Sequence, residues 1–196
     1  MRGVSQDPSV RQPIWRRAYL APSRLYGDVK HSYPLEVLSH LFGGGNTSRL
    51  YRSLVIKQKI ALSAGSFYDA NNLGPSSFVI FAIPRPGVGI SQIKRAVEVE
   101  LGNLVEKGVT EDELKRVKMS MRADSIYVRD SLGVGARLLG AALSSGQTIK
   151  DVESWPERIG DVTADQIKIA ADSILKPGSS VTGLLLPAQI QQKQED

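Results

Sequence analysis

Gly43-Gly44-Gly45-Asn46-Thr47-Ser48-Arg49-Leu50-Tyr51-Arg52-Ser53-Leu54 is the stretch on which the reading of this chain turns. Three glycines end an apolar run, and glycine at a helix end supplies the φ > 0 geometry that a Cβ resists. Asn46, Thr47 or Ser48 then offers a side-chain oxygen to the unpaired N–H groups of a following helix. The stretch reads as a helix, a glycine corner with bare backbone, and a second helix. A phosphate loop would need Gly-Lys-Ser/Thr at fixed spacing. Ser48-Arg49-Leu50 stands there instead, so that reading fails. Two remain open: a loop that faces a bound peptide, and a tight helix-to-helix corner with no ligand.

Working outward, Pro34 suits the first turn of a helix running to about Phe42, with Leu35, Leu38 and Phe42 on one stripe. The second helix, from about Thr47 to Gln58, points Leu50, Leu54 and Val55 inward. Upstream, Ile14 to Ala21 alternates as a strand closed by Pro22, with Trp15, Arg17 and Tyr19 on one face. Downstream, Ile60 to Tyr68 and Ser77 to Ile83 form a hairpin around residues 69–75. The second of these strands is apolar on both faces, which predicts a central strand covered on each side.

Ile93, Val97, Leu101, Leu104 and Val105 repeat at helical spacing, and Lys107-Gly108 closes that helix. Thr110-Glu111-Asp112-Glu113 is a capping box starting a helix with Leu114, Val117, Met121 and Val128 inward. Arg129-Asp130 leads into a Gly- and Ala-rich helix, Gly133 to Leu143, that is expected to pack closely. A second box, Thr163 to Gln166, starts a helix carrying Ile167, Ala170, Ala171 and Ile174. Val181 to Leu186 is a last strand ended by Pro187. Hairpin pairing with a run of helices predicts an α+β fold, an antiparallel sheet with helices packed on one face. Residues 11–187 form that single domain, flanked by an N-terminal edge at 1–10 and a polar tail at 188–196.

At 196 residues, 41% apolar and 23% charged, the chain has the composition of a soluble globular domain. No run approaches the ~20 apolar residues of a membrane span. The N-terminus has no signal-peptide core and reads like the cut edge of a larger protein. Without cysteine there is no disulfide framework or thiolate metal site, and cytoplasm and periplasm fit equally. The charge of +5 gathers at Arg11, Arg16, Arg17 and Arg24, and again at Lys115, Arg116, Lys118 and Arg122. Both groups read as solvated faces. No aromatics interleave with them, which argues against nucleic acid as a partner.

Catalytic apparatus is missing. A zinc helix needs His-Glu-x-x-His or its inverse, which sets two rings and a carboxylate on one face. His40 is followed by Gly43 and Gly44, and His31 by Pro34 and Leu35, so each reads as a surface or helix-end residue. No Gly-x-Ser-x-Gly elbow occurs. Glu111, Asp112 and Glu113 are explained by capping.

Several stretches, in order, resemble one known domain. These are Asp7 to Pro13 leading into Trp15 to Pro22, the glycine corner with Ser48-Arg49-Leu50-Tyr51, Gln58 to Gly65, Gly108 to Leu114, and Ile159 to Ile167. The domain is the C-terminal, non-catalytic half of zinc peptidases of the pitrilysin, insulysin and mitochondrial processing peptidase family, and the likeness spans about residues 7 to 187. Members of that family close two homologous halves around an extended peptide, and zinc sits in the other half. The resemblance therefore implies a non-catalytic part of a bacterial zinc endopeptidase. Its partners would be a homologous zinc-bearing domain and a peptide substrate, with zinc in the partner or N-terminal half and none in this chain. The peptide-facing loop would be Gly43, Gly44, Gly45, Asn46, Thr47, Ser48, Arg49 and Tyr51. Replacing Gly44 by Val should then raise KM and leave the fold intact.

Members of the family also carry an Arg and a Tyr that hold the peptide near the metal. The matching positions here are Val55 and Leu62. Aliphatic side chains donate no hydrogen bond to a carbonyl or an oxyanion. A working parent would then need those donors from a second homologous chain. Leu62 also reads as a possible core residue. The alternative is a non-enzymatic scaffold of the same fold.

Overall fold

A computed structural model describes residues 1–130 and 133–188, the side chains of 126–130 excepted. Five strands form one sheet: β1 (Arg2–Asp7), β2 (Ile14–Ala21), β3 (Ala61–Tyr68), β4 (Ser76–Pro84) and β5 (Ser180–Pro187). Their order across the sheet is β1-β5-β2-β4-β3. β2 pairs antiparallel with both β4 and β5, and β3 pairs antiparallel with β4. β1 pairs parallel with β5. Residues 2–7, set outside the domain on the sequence reading, are therefore an edge strand. Every one of their side chains is exposed, so no alternation marked them.

The helices are α1 (Ser32–Gly43), α2 (Ile90–Lys107), α3 (Glu111–Asp130), α4 (Val134–Ser144), α5 (Ile149–Asp161) and α6 (Ala164–Ile174). A π-helix, Tyr51–Lys57, follows α1. The core lies between the helices and one face of the sheet. Trp15 and Tyr19 of β2, Phe78 and Ile80 of β4, and Leu35, Leu38 and Phe42 of α1 are all nearly or fully inaccessible. Leu50 and Leu54 of the second helix, Ile93 and Leu104 of α2, and Ile167 and Ala171 of α6 complete it.

Four expectations change. β4 is interior to the sheet but covered on one face only: Phe78, Ile80 and Ala82 are buried, whereas Val79, Phe81 and Ile83 are half-buried. The Gly- and Ala-rich α4 buries only Ala142, and a Cβ added at Gly135 or Gly140 would meet no described atom within 4 Å. Its small residues are thus unused by the described part of this domain. The arginines near the N-terminus are not all solvated. Arg17 is 6% exposed, with Nη2 3.1 Å from Glu98 Oε1 and its guanidinium 5.2 Å from the Trp15 ring. Arg24 pairs with Glu36 at 2.5 Å and stacks on Tyr33. His31 sits at a helix end as expected but is buried, 3.3 Å from Asp28. Val128 and residues 189–196 lie outside the described side chains and residues.

Candidate functional site: the cleft at the glycine corner

The corner is built by steric necessity. A Cβ on Gly43 would lie 1.9 Å from the backbone nitrogen of Ser66, so only glycine lets the end of α1 touch β3. Ser66 Oγ donates to Ser39 O at 2.8 Å beside that contact. Opposite it, Gly65 leaves room for the Phe81 ring, which a Cβ would meet at 2.9 Å. Gly44 caps α1, its N–H bonding His40 O, and a Cβ there would meet His40 Cα at 2.5 Å. Only Gly45, with φ +136°, is free of neighbours within 4 Å. Gly44→Val would therefore strain the fold, contrary to the expectation that it leaves the fold intact.

After the corner the chain does not resume an α-helix for long. Arg52 N–H bonds Ser48 O in the α pattern, but Gln58 N–H bonds Ser53 O five residues back. The wider turn ends at Lys59, which takes φ +54° where a glycine would be comfortable. π turns are uncommon and concentrate at functional positions.

Between this π-helix and helices α2 and α3 lies a cleft of about 630 Å³. Gly44, Thr47, Ser48 and Arg49 of the expected loop line it; Gly43, Gly45, Asn46 and Tyr51 do not, nor do Val55 and Leu62. Val55 is 7% exposed and belongs to the core, whereas Leu62 is 40% exposed on the edge strand. Leu62 is thus not the core residue its pattern suggested.

One ion pair spans the cleft floor. Arg49 Nε donates to Glu113 Oε1 at 2.8 Å and Arg49 Nη2 to Oε2 at 2.6 Å. The same Nη2 reaches Gly108 O at 2.9 Å. Glu113 also closes the predicted capping box, accepting from Thr110 N–H at 3.0 Å while its own N–H donates to Thr110 Oγ1 at 3.3 Å. The Arg49 guanidinium, with the Thr110 donors assisting, brings the Glu113 carboxyl from 4.5 to about 2. Glu100, from α2, accepts from Ser53 Oγ at 2.6 Å. Sequence reasoning found the box but not the Arg49 partner, because the two residues are 64 apart and neither pattern points at the other.

A zinc ion does not fit here. Among the described residues no group of three or more His, Cys, Asp or Glu is placed to hold a metal. His40 lines the cleft, but Glu113 is already occupied by Arg49 and Thr110, and further cations line the walls.

Comparison with known proteins assigns the family. The family model described as the Peptidase M16 inactive domain matches residues 4–121, more than half of the chain. The chain belongs to that family. It is 26% identical over 158 residues to the zinc protease PqqE of Helicobacter pylori, a match covering 81% of this chain and 35% of PqqE. It is also 26% identical over 159 residues to an uncharacterized zinc protease of Streptomyces coelicolor, covering 80% of this chain and 34% of that protein. The chain thus spans about a third of the length of the curated relatives it matches. Among solved structures, a protease from H. pylori superposes with TM-score 0.84 at 24% identity, over 95% of this chain and 44% of that one. The inactive peptidase domain of a zinc protease from Bordetella parapertussis superposes with TM-score 0.81 at 18% identity, over 98% and 99%. The M16 inactive domain accordingly has the α+β fold seen here, and its bacterial relatives carry the zinc protease name.

Proposed function

We propose that this domain is the non-catalytic half of a zinc-dependent endopeptidase, docking against a zinc-bearing homologous half and forming one wall of the peptide chamber. The observation that carries this reading is the uncovered face of the sheet. Ile14, Ala18 and Leu20 of β2, Val79, Phe81 and Ile83 of β4, and Phe67 of β3 share it, with Val181 of β5 beside Ala18. Leu20 is 73% exposed, Phe67 62% and Val181 51%. Arg16, opposite Phe81, and Ser77, opposite Leu20, are polar residues on the same face. A largely apolar sheet face of this kind marks an interaction site rather than ordinary scattered exposure. In a domain whose relatives are about three times as long, the rest of the peptidase is the natural cover.

The test is co-expression of this chain with a zinc-bearing homologous half, followed by size exclusion and peptide cleavage. A stable complex is expected, and Leu20→Asp with Phe67→Asp should disrupt it while leaving the chain folded. A complex indifferent to both substitutions would remove the docking role of this face. A scaffold of the same fold would form the complex and cleave nothing. The fold likeness to a chain of the Candida albicans Complex III2 structure, TM-score 0.76 at 12% identity, keeps that second reading in view.

A further inference from the structure

We infer that the cleft at the glycine corner binds a peptide segment bearing carboxylate side chains, gripped between Arg52 and Lys57 on one wall and Arg116 on the other. The inference rests on the proposal that this domain serves a peptidase; it adds a second place where peptide is held, walled by helices rather than by the open face of the sheet, and the class of peptide taken.

The charge balance of the cleft is the starting point. Four cationic side chains line it, Arg49, Arg52, Lys57 and Arg116, against two carboxylates, Glu100 and Glu113. The two carboxylates do not neutralise the cations evenly. Glu113 is held bidentately by Arg49 and bonded to Thr110, so its charge and its lone pairs are used locally. Glu100 takes the Ser53 hydroxyl and forms no ion pair among the described residues. Arg52, Lys57 and Arg116 likewise have no acidic partner within 4.0 Å among the described residues. All three are exposed, and none is held in an ion pair with a described residue.

Arrangement then selects the ligand. Arg52 and Lys57 lie five residues apart on the π-helix, and Arg116 faces them from α3. A small free anion prefers convergent donors, such as a nest of backbone N–H groups. Charges divided between two walls suit a chain that passes between them and offers more than one carboxylate. A volume of about 630 Å³ accommodates a short extended segment. Thr47, Gln58 and Ser120 supply side-chain donors to its backbone carbonyls. Among the described residues no Phe, Tyr or Trp lines the cleft, and the single imidazole of His40 is no platform for the successive bases of a single-stranded nucleic acid.

The experiment uses the purified 196-residue chain and fluorescein-labelled hexapeptides in which three positions are all Glu, all Gln or all Lys, read by anisotropy. The Glu peptide should bind, the Gln peptide markedly less, and the Lys peptide not at all. Raising salt from about 50 to about 500 mM should weaken Glu-peptide binding several-fold, as expected for solvent-exposed charges. Arg52→Gln, Lys57→Gln and Arg116→Gln should each weaken it about threefold and together about thirtyfold, the range of exposed ion pairs. These side chains are exposed, so the variants should keep the wild-type unfolding midpoint. Equal binding of the Glu and Gln peptides overturns the acidic preference and leaves the peptide wall standing. Binding of none of the three peptides overturns the peptide reading of the cleft as well. Displacement of the Glu peptide by inorganic phosphate at the same concentration as free glutamyl peptide would identify a small-anion site and overturn the inference.

Discussion

Glu113→Gln tests whether the cleft floor is held by charge or by shape. The carboxylate is brought from 4.5 to about 2, mainly by the Arg49 guanidinium. A shift of that size corresponds to roughly 3 kcal/mol at neutral pH if taken whole, at about 1.4 kcal/mol for each pH unit. The side chains of Arg49 and Glu113 retain 19% and 24% exposure, so water screens the pair and about 1–2 kcal/mol is the expected loss. Gln keeps the shape and its carbonyl can still accept from Thr110 N–H and Arg49 Nη2, but its NH2 cannot accept from Arg49 Nε, so the variant removes the charge together with one of the two Arg49 bonds. The native carboxyl titrates below its unfolded value, so its contribution is full above about pH 4.5 and fades as pH falls toward about 2. Roughly two-fifths of the gap between wild type and variant should be gone by about pH 3.5. Urea unfolding at several pH values measures this directly, and near neutral pH the midpoint temperature should fall by about 3–7 °C for a chain of this size. A gap that stays constant from neutral pH into acid would show that Gln disturbs packing or the helix cap, and the electrostatic account would be wrong.

Gly43→Ala should lower stability by about 3 kcal/mol or more, since its Cβ would enter the Ser66 backbone, whereas Gly45→Ala should lower it by about 1–2 kcal/mol through its φ alone; thermal melts of the two variants compare them. Val55→Arg places an unpaired charge in the core and should leave the chain insoluble or lower its stability by about 3 kcal/mol, while Leu62→Tyr on the exposed edge should change stability by less than about 0.5 kcal/mol. Expression yield and chemical unfolding read both. Metal analysis of the purified, tag-free chain should find well under one zinc per molecule; a stoichiometric, tightly held zinc would contradict the assignment to an inactive domain.

Much of the fold was legible because its signals are local. Alternation in Ile14 to Ala21 put Trp15, Arg17 and Tyr19 on one face, and the structure buries that face, Arg17 included, although its charge alone read as solvated. The boxes at Thr110 and Thr163 bond as the spacing required. No element was assigned to the stretch that forms α5; its box at Thr148 has Asp151 at N3 rather than Glu or Gln, and Pro156 lies inside the helix. β1 escaped for a different reason. Its pairing with β5 joins residues 180 apart, and an edge strand exposed on both faces carries no hydrophobic period.

The site was legible only in outline, and the reason is instructive about what a glycine motif can say. Three successive glycines announced that backbone must come close to something, but not to what. Two of the three are accounted for by packing, Gly43 against β3 and Gly44 against the last turn of α1. The cleft that opens beside them is made by side chains that no local pattern joins: Arg49 with Glu113, Ser53 with Glu100, and Arg116 across from Arg52 and Lys57. Charge runs read along the chain looked like solvated faces; Arg17 and Arg24 are not, but Arg116 on α3 is exposed. Folding brings α3 alongside the π-helix, and two half-faces of unpaired positive charge become the walls of one groove. A basic residue counted as surface in sequence order can therefore belong to a binding site in space, and the discriminating observation is whether its neighbours across the fold include an acid to neutralise it. For Arg49 they do; for Arg52, Lys57 and Arg116, among the described residues, they do not. That difference separates the cation that holds the cleft together from the three that are left to hold something else.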